Sequence, residues 1–421
     1  MSQAHLLIRK GRIIDPASGR DEIMDLLIEK GRLARLGASL DAPGAEIFDA
    51  EGMWVLPGLV DTCVRLPSPS SIASETRAAA SGGITHLCVM PDGNPVTDST
   101  AVVRLLREQA MKAGFARVLP LGALTQGLNG EQLAEMRTLT DAGCIGLSNA
   151  GRPVQDSLTF KRCLEYAATF DLPVMLRPED SSLSSGGCAH EGPVATRLGL
   201  PGIPALAETI DMARALLVIE QVGVRAHIHQ LSCAGSVALL RQAREAGISV
   251  TADVSIHHLL LDESALANYD SRFHVRPPLR STADRQALLA AVADGTIDAV
   301  CSQHSPMGSA SKAAPFPDTQ PGIAGIETLL PLLLKLVEDG DISLLRALDA
   351  ITASAGRCLG QPIGMLEPGR MAHVCVVDPT RQQRPGDDWL SRGLNSPWLE
   401  TMLPGIVRLT VCDGRVTWLS D

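Results

Sequence analysis

The side chains equipped for chemistry stand where short apolar runs end. "PGLVDTCVRLPSPS" carries Cys63 and Arg65, "CIGLSN" ends at Asn149, "PVMLRPED" carries Arg177, and "AHIHQLS" carries His229. "VRPPLRS" adds Arg276, and "DAVCSQHSP" adds Gln303 and His304. Thiolate and imidazole are zinc donors, so Cys63, His229 and a neighbour such as His304 form one candidate set. A catalytic zinc wants three protein ligands and an open position. Arginine has a fixed positive charge and no lone pair to donate, so Arg65 and Arg177 cannot ligate a metal and oppose one unless they are paired. Guanidinium geometry suits carboxylate and phosphate oxygens, so Arg65, Arg177 and Arg276 could converge on an anion. Alternatively they pair with nearby acids such as Asp61, Asp92 and Glu179.

Whatever these groups do, a repeated element must bring them together. From about residue 55 to 350, eight short apolar runs alternate with longer stretches such as "AVVRLLREQAMKAG" and "RQALLAAVADG", whose apolar residues recur every three or four positions and which end at Gly. Eight strand-helix units in that span predict an α/β fold, a closed (β/α)8 barrel over residues 55–362. In such a barrel the working groups sit at the C-terminal ends of the strands. The flanks, residues 1–54 and 363–421, are β-like and Gly-punctuated. They predict one small β-sandwich built from both termini.

Composition narrows the function. The chain has 421 residues, 45% of them hydrophobic and 20% charged, enough to bury a large core. A formal net charge of -10 with no clustered Lys and Arg argues against a nucleic-acid surface. No apolar run approaches the roughly 20 residues needed to span a bilayer, and "MSQAHLLIRKGR" lacks a signal-peptide pattern, so no membrane association and a cytoplasmic location are expected. The ten cysteines are scattered singly, as at Cys88, Cys144 and Cys301, which predicts free buried thiols.

Over nearly its whole length the chain resembles a dihydroorotase of the amidohydrolase superfamily. The resemblance rests on "PGLVD", "GGITHLCVMPDGNP", "GLSNAGRPV", "PVMLRPEDSSL", "LGLPGIPALAE", "HIHQLSCAGSV", "VTADVSIHHLLL", "VRPPLRS", "IDAVCSQHSP" and "GIAGIETLLPLLL". It implies a zinc site of His-x-His after strand 1, an acid or carboxylated Lys after strand 4, His after strands 5 and 6, and an Asp base after strand 8. Here those positions read Cys63 and Arg65, Asn149, Arg177, His229 and Gln303. Of these only His229 matches, and Gln303 has no carboxylate to take a proton from water. The family's substrate contacts differ too: Pro67 replaces an Arg that clamps the substrate carboxylate, Asp92 replaces an amide, and Arg276 replaces an Asn. His257 and His258 match a pair that shapes the pocket.

The resemblance therefore implies a pseudoenzyme with no catalytic metal, no cofactor and no hydrolase activity. It also implies a partner, because inactive homologues of this kind join aspartate carbamoyltransferase chains in a mixed dodecamer of six and six. Self-association is expected as well. Two other functions remain open: an active cyclic amidohydrolase with a rebuilt metal site, and a regulatory module holding an anionic metabolite.

Overall fold

The computed structural model describes residues 5–420, so the outermost ends of the expected terminal module, residues 1–4 and 421, lie outside the described residues. Eight parallel strands follow one another in chain order round a nearly closed barrel: Leu59–Val64, Ile84–Val89, Arg117–Ala123, Gly146–Ser148, Val174–Leu176, Ala226–Ile228, Val250–Ser255 and Ala299–Cys301. Each corresponds to one of the eight apolar runs. Residues of the first two strands are buried throughout, as expected of a parallel sheet covered by helices on its outer face. The last strand returns to the first where Val64 bridges His304 and the Arg65 amide donates to the His304 carbonyl at 2.8 Å.

Several helices between the strands end at glycine, as the sequence pattern predicts. Thr100–Ala113 stops at Gly114 with φ 69°, and Leu206–Val222 stops at Gly223 with φ 73°, a left-handed conformation that glycine adopts at no steric cost. Inside the barrel, Val60, Cys63, Cys88, Met90, Leu121, Met175, Ala299 and Cys301 pack together, joined by Ala355, Cys358 and Leu359. All ten cysteines are free and buried.

The chain ends meet in one mixed sheet. Trp54–Pro57 lies between Leu6–Asp15 on one side and Val374–Gln383 on the other, so a strand just ahead of the barrel joins the N-terminal strands to the C-terminal ones. The run "WVLPGLVDTCV" thus supplies two strands, with Gly58 between the sheet and the barrel. Leu6, Ile8, Ile13, Leu26, Ile28, Val374, Val376, Leu409 and Val411 form a separate core for this sheet. Among the described residues no helix is long and apolar enough to cross a membrane.

Candidate functional site

The C-terminal ends of the barrel strands do bring the sequence-predicted residues to one mouth, but in new roles. Arg65, just past the first strand, directs Nε to Asp92 Oδ2 at 2.8 Å, with side-chain exposures of 24% and 19%. Burial works against the Arg65 charge, yet the Asp92 carboxylate outweighs it and raises its pKa. Arg177, past the fifth strand, places Nη2 2.7 Å from Glu179 Oε2 and donates to the Gly151 carbonyl at 3.2 Å. Arg276 reaches the same carboxylate, with Nε donating to Glu179 Oε1 at 2.8 Å. Burial would raise the Glu179 pKa, but the two guanidiniums reverse this and hold it below the usual range. The arginines are therefore paired, two of them through one acid.

Asp61 is not among their partners. It is fully buried beneath the mouth, where its Oδ1 accepts from the Cys63 and Ser302 amides at 3.3 and 3.1 Å. Burial pushes its carboxyl up to about 7. It sits two residues before Cys63 on a strand whose interior it cannot leave, so no guanidinium reaches it.

The other positions are equally committed. Asn149 accepts from the Thr125 hydroxyl at 2.8 Å and donates to the Arg152 carbonyl at 2.6 Å, which makes it a loop brace. Gln303 donates to the Arg276 carbonyl at 2.9 Å. Pro67 is exposed, and its carbonyl takes the Asn94 amide at 3.1 Å. His257 and His258 both contact the Ser255 hydroxyl, and burial holds the His257 pKa well below normal and that of His258 at about 4. Ala150, Gln230 and Gln303 all have positive φ, at 50°, 61° and 49°. Left-handed backbone costs a non-glycine residue about 1–2 kcal/mol, so the mouth keeps a strained frame.

The set Cys63, His229 and His304 does not assemble. His304 turns away from the barrel axis: its Nε2 lies 3.1 Å from Glu75 Oε2, and its Nδ1 accepts from the Gly325 and Ile326 amides at 3.2 and 3.3 Å. Cys63 instead accepts from Gln230 Nε2 at 2.8 Å, and contact with Cys301 lowers its pKa against the effect of burial. His229 Nδ1 faces Asp253 Oδ2 at 2.7 Å, with His227 Nε2 3.1 Å from the same oxygen. Burial opposes a charge on His229, but Asp253 outweighs it and raises the pKa. Asp253 and His227 were not singled out from sequence. The available signals were an acid inside the buried run "ISVTADVS" and the alternation of His227 with His229, which puts both rings on one face of a strand.

The family model described as dihydro-orotase-like matches residues 52–236. A dihydroorotase-like protein of Pseudomonas aeruginosa is 45% identical over 416 residues, covering 97% of this chain and 98% of the relative. The chain belongs to the dihydroorotase-like family. A dihydroorotase of Syntrophotalea carbinolica is 40% identical to this dihydroorotase-like chain over 426 residues, covering 99% of it and all of the relative. The backbone also matches L-hydantoinase (dihydropyrimidinase) of Arthrobacter aurescens with a TM-score of 0.85, covering 99% of this chain and 96% of that one at 22% identity, a likeness of fold.

A zinc centre is what the dihydroorotase-like family resemblance implies, and the donor set here does not fit it. Arg65 and Arg177 offer no lone pair and bring positive charge. His227, His229 and Asp253 do hold their ligand atoms within 4.8 Å of one another. The carboxylate is already occupied, however. Its Oδ2 also accepts the Thr62 hydroxyl at 2.6 Å, and Oδ1 accepts the Gln230 amide at 2.7 Å. Burial disfavours the Asp253 charge, but the imidazoles prevail and depress its pKa. In the dihydroorotase-like chain these three residues form a buried hydrogen-bonded network that leaves His229 Nε2 without a partner.

Proposed function

We propose that this chain is a non-catalytic dihydroorotase-like subunit that assembles with aspartate carbamoyltransferase and supports it in de novo pyrimidine biosynthesis. The observation that carries the reading is the pairing of Arg65 with Asp92 and of Arg177 with Glu179, at two positions where hydrolytic members of the family need imidazoles. Water activation in that chemistry requires a metal and a base. A guanidinium locked to a carboxylate supplies neither, and Gln303 adds no base. A large folded barrel without this chemistry still presents surface, and a chain that binds only a folded partner stabilises it by mass action.

The test has two arms. The purified chain is assayed for bound zinc and for dihydroorotate hydrolysis. Aspartate carbamoyltransferase from the same cell is then sized by gel filtration with and without this chain. Co-migration in one large particle and a gain in transferase activity are expected. Chelator-sensitive hydrolysis, or a transferase fully assembled on its own, overturns the proposal.

A further inference from the structure

The barrel mouth is short of hydrogen-bond partners. Arg177 is the clearest case: its side chain is 2% exposed, Nη2 is engaged by Glu179 and Gly151, and Nε and Nη1 have no partner and no solvent. A guanidinium carries five N–H donors and its charge is permanent, so leaving two nitrogens dry and unpaired is costly. The charges are short as well. Asp92 serves Arg65 alone, but Glu179 serves both Arg177 and Arg276. Burial and the neighbouring Arg65 and Arg276 charges press down the Arg177 pKa, which marks it as the under-compensated cation. Past the adjacent strand, His229 Nε2 is also buried without a partner. Arg65 and Arg276, at 24% and 35% side-chain exposure, open the same mouth to solvent.

We propose that this mouth binds a small oxyanion of the carboxylate or phosphate class, received by the part-exposed guanidiniums of Arg65 and Arg276 and held there by the uncompensated charge of Arg177 behind them. Charge-assisted hydrogen bonds to the anion complete the pairing that one shared carboxylate leaves unfinished. The site needs no metal and no turnover, and it stands independently of the carbamoyltransferase partner.

The full-length chain is titrated with sodium malonate and, separately, sodium phosphate at constant ionic strength set with chloride, and its Tm is followed. At least one anion is expected to give a saturable rise in Tm of about 2 °C or more, and the difference between the two arms assigns the class. Arg177→Gln is expected to abolish the rise. Arg276→Gln, at a partly exposed position that can lose its side chain without opening the core, is expected to alter the apparent Kd at least about threefold by returning Glu179 wholly to Arg177 and so removing the charge deficit. Arg137→Gln, on an exposed helix face in an i,i+4 pair with Asp141, is expected to keep it. No saturable rise beyond chloride with either anion overturns the proposal. A rise that persists with unchanged Kd in both Arg177→Gln and Arg276→Gln overturns it as well.

Discussion

Arg177 and Glu179, separated by one residue in the loop after the fifth barrel strand, pair at 2.7 Å with side-chain exposures of 2% and 8%. The first prediction follows from that burial. Removing one partner of a buried pair leaves the other charge uncompensated and costs about 3–5 kcal/mol. Glu179→Gln strands two guanidiniums, Arg177 and Arg276, so a loss of this order is expected in urea unfolding. A change below about 1 kcal/mol would show that the acid does not hold the mouth together.

Single restorations are expected to stay silent. Cys63→His, Arg65→His and Gln303→Asp each return one group, but catalytic constellations are strongly non-additive. Asp92 would remain where the resemblance places a substrate amide, and Pro67 where it places the substrate arginine. Dihydroorotate hydrolysis measured with added zinc should stay at background for all three. Clear turnover from any one of them would mean that the site is dormant rather than dismantled.

Acid should weaken the fold through its buried imidazoles. Burial places the pKa of His258 at about 4 and that of His274 at about 4, below the ordinary imidazole value of about 6.5. Between those values the unfolded chain binds more protons than the folded one, so stability falls as pH drops from about 6.5 towards 4. Denaturation midpoints measured across this window should decline, and His258→Asn should flatten part of the slope. An unchanged slope would place the imidazole in water rather than in the core.

If the chain acts as a scaffold, its mouth is dispensable for assembly. Arg65→Ala removes the ion pair with Asp92 at a partly exposed site and is expected to rescue carbamoyltransferase assembly as well as the unmodified chain does, read as particle mass and transferase activity. Failure of a normally folded Arg65→Ala chain to rescue would give the mouth a ligand-dependent part in assembly.

The sequence by itself determined the barrel, because eight apolar runs and their Gly-terminated helical partners are local patterns set by burial on one face and by backbone geometry at helix ends. The resemblance to dihydroorotases picked out Cys63, Arg65, Asn149, Arg177, His229 and Gln303, and because strand ends in a parallel barrel all face the same way, one mouth was expected for them. Only the tertiary structure decided what those side chains touch. Asp92 and Arg65 are 27 residues apart and Glu179 and Arg276 are 97 apart, and no local pattern states which acid meets which guanidinium. The same holds for His304, which lies one residue from Gln303 yet turns outward to Glu75, 229 residues away. It holds too for Asp253, whose burial between His227 and His229 depends on two adjacent strands lying in register. Periodicity places a residue on a face, whereas its partner is set by packing between distant parts of the chain.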